Sequence, residues 1–485
     1  MSIARKAILG TFWVAGASYS SFIISFGAQL ILVRLLFPED FGTYALAVSI
    51  IELICLFFSW DFSSGLIQVQ GGKYLNETAF ALSVIQGVVF LIFTGLTSIV
   101  LTHFFSTNLV TVFFVIGLTR PLTFISSVYS ATVEKELIYK KLSIIRFISA
   151  VVAAIGGITL AYRGFGVWSI VGKELLMTLV CFIGFRAVSP WRFTWRFDRE
   201  SSKRLIRFSW GMLFSRGLEG AWFKLDNLLV GSLLGTTSLG YYSQGRYFVD
   251  LGNTAVAPAA TKVAFPFYSK LQKDQVKLSQ ACHIVNFFLI RLMFPLALIL
   301  ILFPEPIITL LYGEKWSPTA PIIRFLALCV VIVPVSENLK ILLYSLGRFK
   351  EVIRLRLIQI LILIPALFIG VKLYGAMGAA IAFMLSAGIG VVGTYYYTRE
   401  YTFNYVKRNY ITPVVLGVFI FIFMLIFSHY LNIPTKGFAF ILSVILFITL
   451  YGIGLFFMEK KVLKENIVTL IEKIWSRDTK ERFVS

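Results

Sequence analysis

Two apolar segments near the middle of the chain carry charged and polar residues at helical spacing. The first set follows i, i+3, i+7 and i+10: Arg216, Glu219, Phe223 and Asp226, with Lys224 beside it. The second set follows i, i+4, i+8 and i+11: Tyr242, Arg246, Asp250 and Asn253. Each spacing places its residues on one face of a helix. Cationic groups on such faces can hold an anionic headgroup. The alternative is a set of ion pairs, Arg216 with Glu219 and Arg246 with Asp250, that lock the helices.

Further ionisable residues lie inside apolar segments elsewhere. Arg120 precedes Pro121, and Arg291 lies four residues before Pro295. Because a proline leaves a backbone carbonyl without its helical partner and permits a kink, both arginines are candidates for a cavity wall. For Arg291, snorkelling to the membrane surface is the alternative.

Acidic residues in the same segments are candidates for binding a coupling ion or for packing the helices together. They are Glu52, Glu219, Asp226 and Asp250. Two close pairs of opposite charge, Lys173 with Glu174 and Glu337 with Lys340, predict internal ion pairs.

Motifs of soluble enzymes are missing. The sequence contains no GxxxxGK[ST], HExxH or GxSxG motif and no Asp-x-Asp pair. Its four cysteines lie in apolar segments without CxxC spacing, and its three histidines are scattered. We therefore expect a protein that is not an enzyme and that has no metal site and no cofactor.

The composition is that of a polytopic membrane protein. Of the 485 residues, 58% are hydrophobic and 14% are charged, and the mean hydropathy is +0.83. A soluble domain averages about 45–50% apolar and about 25% charged residues. Since one membrane helix needs roughly 20 apolar residues, the chain has room for a dozen or more. The first apolar run is too long for a cleavable signal peptide, so we expect it to remain as a membrane span.

Fourteen membrane spans are predicted from the apolar runs. Their approximate ranges are 8–33, 43–63, 78–103, 107–129, 143–162, 166–187, 206–231, 239–262, 282–304, 319–346, 352–373, 376–398, 411–430 and 436–458. With the N-terminus inside, the loops predicted inside carry 30 Lys and Arg residues and those outside carry 5. This asymmetry favours fourteen spans with both termini cytoplasmic. It also accounts for the net charge of +21 without a nucleic-acid partner.

A short turn occurs twice, 198 residues apart. Residues 35–45 read LLFPEDFGTYA, and residues 233–243 read LLGTTSLGYYS. The same offset relates Glu52 to Asp250, whereas Arg246 corresponds to Val48. A second match, residues 139–146 with 349–356, follows at an offset of 210. Spans 1–6 and 7–12 thus read as two copies of one unit in the same orientation, as in several secondary transporters.

The sequence therefore predicts an all-α polytopic membrane protein. We expect two pseudo-symmetric six-helix lobes that form a V-shaped cleft, with two additional C-terminal helices. The predicted boundaries are 1–187 for the first lobe, 188–204 for a basic cytoplasmic linker, 205–400 for the second lobe, 401–458 for the extra helices and 459–485 for a cytoplasmic tail.

Four stretches resemble polysaccharide exporters of the multidrug/oligosaccharidyl-lipid/polysaccharide exporter superfamily. They are LVRLLFPEDFGTYALA (32–47), WFKLDNLLVGSLLGTTSLGYYSQGRYF (222–248), KVAFPFYSKLQKD (262–274) and LLYGEKWSPTAPIIRFLAL (310–328). The resemblance extends to about residue 400. It implies a flippase of the bacterial cytoplasmic membrane that moves an undecaprenyl-pyrophosphate-linked oligosaccharide repeat unit to the outer leaflet, for O-antigen, capsule or exopolysaccharide synthesis.

The resemblance also implies alternating access, a proton or sodium ion as coupling ion, and glycosyltransferases and a polymerase as pathway partners. Peptidoglycan-precursor flippases of the superfamily carry arginines in span 1 and early span 2. Here Val48 lies where an arginine is expected, which lowers the lipid II interpretation and leaves Arg246 as the main candidate for the pyrophosphate contact.

The expected headgroup-binding residues are Arg246, Arg216, Lys224, Arg120, Arg291 and Tyr242; the expected ion-coupling residues are Asp250, Glu52, Asp226 and Glu219. Two alternatives stay open. A multidrug–cation antiporter of the same superfamily would favour an acidic cleft, and a membrane polymerase or ligase would favour a large outside loop.

Overall fold

A computed structural model shows a chain of α-helices, with no β-strand in the part that it describes. The described backbone comprises residues 3–58, 60–69, 72, 74–402, 405–430 and 438–475. Within it, side chains are described except at 3–12, 15, 211–212, 214–216, 252–263, 266, 408, 427–430, 438–439, 461 and 463–475. The all-α fold predicted from the apolar segments is confirmed.

The helices, in chain order, are α1 (Ile3–Leu35), α2 (Pro38–Phe58), α3 (Phe62–Gln68), α4 (Leu75–Leu101), α5 (Thr107–Gly117), α6 (Thr119–Lys135), α7 (Tyr139–Tyr162), α8 (Val167–Val188), α9 (Arg199–Leu271), α10 (Gln275–Leu302), α11 (Pro304–Leu311), α12 (Thr319–Leu326), α13 (Cys329–Ser345), α14 (Phe349–Thr402), α15 (Val406–Tyr430) and α16 (Phe438–Trp475). A short 3-10 turn, Glu314–Trp316, lies between α11 and α12.

Eleven helical segments of the described chain are long and apolar enough to cross a membrane. One of them, α14, has 54 residues and is interrupted at Gly375. The 73-residue α9 is not among the eleven and is interrupted at Gly235. Both glycines have positive φ, 58° and 81°, a region that costs little only for glycine. The chain is thus a multi-pass membrane protein, and the number fourteen stays a prediction.

The helices pack as two compact units, Met1–Ser243 and Gln244–Ser485. The boundary lies inside α9, after the interruption at Gly235. The two units are defined by helix packing alone, and they do not test the predicted lobes. The lobe boundaries predicted at 188–204 and 401 and the V-shaped cleft stay predictions.

The repeated turn forms a reciprocal helix contact inside the first unit. The start of α2 lies against the part of α9 that follows Gly235. A methyl group on Gly42 would lie 2.9 Å from the backbone nitrogen of Gly240, and one on Gly240 would lie 3.0 Å from Cα of Pro38. Gly42 also meets the carbonyl of Thr236, and Gly240 meets that of Pro38. The offset of 198 relates Gly42 to Gly240 and Pro38 to Thr236. The contact of Gly42 with Thr236 and the contact of Gly240 with Pro38 are therefore equivalent under the repeat.

Candidate functional site

Arg120 and Glu52 form an ion pair between α6 and α2. Nη2 of Arg120 donates to Oε1 of Glu52 at 2.8 Å. The side chains keep 19% and 32% of their surface exposed, so the pair opens to a surface on one side. Nε of Arg120 is buried and has no hydrogen-bond partner in the described part of the chain. The pair therefore holds the guanidinium in place while leaving donor capacity unused.

Tyr44 and Glu174 form a second contact on α2 and α8. The Tyr44 hydroxyl donates to Oε2 of Glu174, and Arg120 interacts electrostatically with both residues. Lys173 and Glu174 interact electrostatically, whereas the hydrogen bond of the Glu174 carboxylate is with Tyr44, so the predicted ion pair of Lys173 with Glu174 stays a prediction. Adjacent residues of a helix point in different directions, and Glu174 is directed to α2.

Asp226 is buried where the two parts of α9 face each other. The turn at Gly235 brings Tyr242 back beside Asp226, and the Tyr242 hydroxyl donates to Oδ2 of Asp226 at 2.8 Å. The backbone N–H of Asn227 donates to Oδ1. Asp226 and Tyr242 are both 0% exposed. Two residues predicted to have different roles thus bind each other.

Each copy of the repeat contains the same two kinds of polar contact, a tyrosine–carboxylate hydrogen bond and a carboxylate–arginine pair. Tyr44 and Tyr242 correspond, and each hydroxyl donates to a carboxylate of another helical segment. Glu52 and Asp250 correspond, and each carboxylate pairs with an arginine. The repeat is therefore expressed in the side-chain chemistry as well as in the turn.

Arg246 lies inside the second unit against Asp250 and Phe383. Its Nε is 3.6 Å from Oδ1 of Asp250, one helical turn away. Its guanidinium carbon lies 3.3 Å from the centre of the Phe383 ring, a cation–π geometry. The Arg246 side chain is 4% exposed, whereas that of Asp250 is 42% exposed. The ring and the carboxylate fix the direction of the guanidinium.

Glu337 is shared by two buried cations of the second unit. Nζ of Lys340 donates to Oε1 of Glu337 at 2.6 Å, and Nη2 of Arg356 donates to the same oxygen at 3.3 Å. The predicted pair of Glu337 with Lys340 is confirmed. Arg356 lies within the predicted span 352–373, although it was counted with the basic residues of the inside loops, and it is buried in α14 beside Gln359. The spacing of three residues between Arg356 and Gln359 was the signal in the sequence that both lie on one face of a helix.

Arg291 joins α10, α15 and α16 inside the second unit. Its guanidinium binds both carboxylate oxygens of Glu459, with Nε at 2.6 Å from Oε2. It also donates to the carbonyls of Phe287 and Asn409, at 3.0 and 3.3 Å. Glu459 lies beyond the last predicted span, 436–458, so its pairing with Arg291 is not predicted from the apolar segments.

The remaining candidates lie on α9. Glu219 and Lys224 are half-buried there. The Arg216 side chain and that of Asn253 lie outside the described residues. In the described residues, no group of three His, Cys, Asp or Glu side chains is placed to hold a metal ion.

Comparison with known proteins assigns the family. Residues 31–321 match the sequence family described as "Polysaccharide biosynthesis protein". The chain belongs to this family.

Individual bacterial proteins are similar to this chain over long ranges. An uncharacterized membrane protein in the cps region of Klebsiella pneumoniae is 25% identical, over 96% of this chain and 98% of the relative. The succinoglycan biosynthesis transport protein ExoT of Rhizobium meliloti is 25% identical, over 65% of this chain and 64% of the relative. The lipopolysaccharide biosynthesis protein WzxC of Escherichia coli is 24% identical, over 90% of both chains.

Solved structures show which fold this family member shares. The lipid II flippase MurJ in an inward closed conformation superimposes with a TM-score of 0.75 at 15% identity, over 94% of this chain and 100% of that chain. An inward-facing multidrug resistance MATE family transporter superimposes with a TM-score of 0.62 at 16% identity, over 78% of this chain and 93% of that chain. At these identities the similarity concerns the fold.

Proposed function

We propose that this protein is a flippase for lipid-linked oligosaccharides of surface polysaccharide biosynthesis. Its membership of the polysaccharide biosynthesis protein family, as a chain of many apolar helices, carries the proposal. A relative named as a transport protein of succinoglycan biosynthesis supports it. The substrate in this proposal is an undecaprenyl-pyrophosphate that bears the repeat unit of an O-antigen, capsule or exopolysaccharide.

Transport is needed because the headgroup is polar and charged. Sugars and pyrophosphate lose their hydration in roughly 30 Å of hydrocarbon. Fixed cations along the path replace part of that hydration, while the polyprenyl chain stays in lipid. In our proposal the protein exposes these cations to each leaflet in turn. The headgroup moves from the cytoplasmic to the outer leaflet of the bacterial cytoplasmic membrane, and both termini of the protein lie in the cytoplasm.

Arg120 and Arg246 are the proposed contacts of the pyrophosphate. Each guanidinium is held by a carboxylate that is itself partly exposed, Glu52 and Asp250. An incoming phosphate competes with the carboxylate for the same donors, and phosphate accepts bidentate hydrogen bonds from arginine. The carboxylates thus keep each arginine oriented before the substrate arrives. Lys224, Arg216 and Tyr242 remain proposed secondary contacts.

Arg291 differs because its donors already bind Glu459 and two backbone carbonyls. We assign it to joining the last helices to α10.

The coupling ion is proposed to bind an acid of the repeat. Glu52 and Asp250 occupy corresponding positions and are partly exposed, so a proton or sodium ion can reach them. Asp226 and Glu219 are the further candidates. Glycosyltransferases and the polymerase of the same pathway are the proposed protein partners.

Deletion of the gene, followed by mass spectrometry of extracted lipids, tests the function. Accumulation of one undecaprenyl-pyrophosphate oligosaccharide, with loss of the matching surface polymer, is the expected result. Sensitivity to cationic drugs without lipid accumulation would indicate a multidrug antiporter. Single repeat units displayed outside but not polymerised would indicate an enzyme.

The site assignment is tested separately, in the reconstituted protein. Arg246→Ala and Asp250→Ala variants that insert normally and transport at the wild-type rate would contradict it.

A further inference from the structure

A segment of ten residues, SPWRFTWRFD at 189–198, joins α8 to α9 without helical structure. It alternates aromatic residues with arginines: Trp191, Arg192, Phe193, Trp195, Arg196 and Phe197. We call residues 192–199, which include the first residue of α9, the aromatic–arginine segment.

The start of this connection is fixed to α4 and α6. The Trp191 ring lies 5.8 Å from that of Phe80 and 5.7 Å from that of Tyr129, and its Nε1 donates to Glu77 at 3.3 Å. The Phe193 ring lies 4.4 Å from that of Phe80. The connection therefore has a defined position on the first unit.

The following residues turn their rings outward. Trp195 is 78% exposed and Phe197 is 56% exposed. Arg192, Arg196 and Arg199 are exposed beside them. The Arg196 guanidinium lies 4.9 Å from the Tyr74 ring, so this cation is held beside an aromatic surface. Water is an unfavourable environment for two large exposed aromatic rings.

The segment lies near the ends of membrane-spanning helices, where the surface of the membrane is expected. It begins directly after α8 ends at Val188, and its contacts lie near the start of α4 and the end of α6. Tryptophan is enriched at this level of membrane proteins because its ring is amphipathic. Basic residues at the same level gain free energy from anionic lipids.

We propose that the aromatic–arginine segment is a binding site for anionic phospholipids. Trp195 and Phe197 enter the interfacial layer, and Arg192, Arg196 and Arg199 contact headgroup phosphates. The predicted topology, on which the choice of leaflet rests, places the site in the cytoplasmic leaflet. The partner is a bulk lipid of the membrane, and the site is separate from the proposed pyrophosphate contacts at Arg120 and Arg246.

Tryptophan quenching by brominated lipid tests the proposal on the full chain. The protein is placed in nanodiscs of phosphatidylcholine with an equal share of brominated phosphatidylglycerol or brominated phosphatidylcholine. The difference in fluorescence between the wild type and Trp195→Phe isolates the signal of Trp195. We expect stronger quenching by phosphatidylglycerol than by phosphatidylcholine. Each of Arg192→Gln and Arg196→Gln should lower the preference, up to about fivefold per charge.

Arg163→Gln, in the loop predicted on the opposite side, is the matched control and should leave the preference unchanged. Equal quenching by the two lipids would overturn the proposal, because the contact would then lack selectivity for anionic headgroups. Absence of quenching would overturn it as well. Loss of quenching on addition of a polyprenyl-pyrophosphate oligosaccharide, at a concentration far below that of phosphatidylglycerol, would reassign the segment to the transported substrate. Accumulation of that lipid in the deletion strain is independent of all these outcomes.

Discussion

Arg120 and Arg246 are both oriented by a carboxylate, yet their surroundings differ. Arg120 pairs with an acid of another helix, 68 residues away in sequence. Arg246 pairs within its own helix and lies on the Phe383 ring. Charged groups at membrane depth are retained when they pair or line a polar cavity. Our proposal combines both conditions, because each arginine is paired with a carboxylate until the substrate binds and then contacts the polar headgroup.

Replacing Arg120 by glutamine is predicted to impair transport strongly. The variant removes the proposed phosphate contact and leaves the Glu52 carboxylate without its cation. We expect the rate of headgroup translocation in proteoliposomes to fall at least tenfold, a change of about 1.4 kcal/mol. Arg324→Gln is the control, because Arg324 forms an ion pair of similar length, 2.9 Å, with Glu305, and both side chains are exposed. Exposed pairs contribute little, and a similar loss in both variants would contradict the assignment.

Replacing Glu52 by glutamine is predicted to act in the opposite direction on binding. Without the competing carboxylate, Arg120 is available to an anion at lower free-energy cost. We expect the protein to retain the pyrophosphate lipid longer after dilution than the wild type does, by about threefold to tenfold. Faster release, with the same thermal stability, would show that Glu52 contributes to binding itself.

Helices approach each other most closely where both carry glycine. The start of α2 crosses α9 at Gly42 and Gly240, and backbone atoms of each helix occupy the space that a side chain would need. Because backbone atoms are displaced only by moving the whole helix, such a contact tolerates substitution poorly.

Gly42→Ala is predicted to destabilise the protein by about 1–3 kcal/mol, the cost of overpacking a close contact. The expected observation is a lower midpoint of thermal unfolding in detergent. Gly95→Ala is the matched control in α4, where an added methyl group meets no atom within 4 Å. Alanine favours a helix over glycine, so this variant should be neutral or slightly more stable. Equal midpoints for both variants would show that α2 and α9 move apart freely.

The start of α10 is predicted to loosen in acid. The backbone N–H of Lys277 donates to Asp274 at 3.0 Å, and this bond, with the nearby Lys277 ammonium, lowers the pKa of the Asp274 carboxyl from its ordinary value. A lowered folded-state pKa stabilises the helix start above the ordinary pKa and loses this effect as the pH falls through the lowered value. Amide exchange at residues 275–278, corrected for intrinsic rates, should rise more between pH 6 and about pH 3 in the wild type than in Asp274→Asn, which keeps a capping oxygen that does not titrate.

The whole molecule is predicted to place its two ends and its basic loops on one side of the membrane. Single cysteines at Phe104 and Glu200, in a chain whose native Cys55, Cys181, Cys282 and Cys329 are replaced by alanine, report the two sides. We expect an impermeant maleimide to label Phe104→Cys in intact spheroplasts and Glu200→Cys only after permeabilisation. Labelling of both in intact spheroplasts would contradict the charge-based topology.

Much of the fold could be predicted because apolar length and loop charge are local properties. Each predicted span overlaps a described helix, and the repeated turn recognised at Leu35 and Leu233 lies where α2 and α9 contact each other. The polar partners were harder. Arg246 with Asp250 follows helical spacing, whereas Tyr44 and Glu174 lie 130 residues apart. No spacing rule relates such residues, since tertiary packing alone brings them together.

The reciprocal contact of Gly42 and Gly240 has the form of an isologous interface. In a twofold homodimer, residue i of one subunit contacts residue j of the other, and j contacts i. Here the same relation holds inside one chain, as expected if an ancestral pair of identical subunits was fused end to end. In the dimer every substitution would have appeared twice, at both sides of the axis. In a fused chain each copy can change alone, so our proposal of a single binding group at Arg246 requires no arginine at its counterpart, Val48.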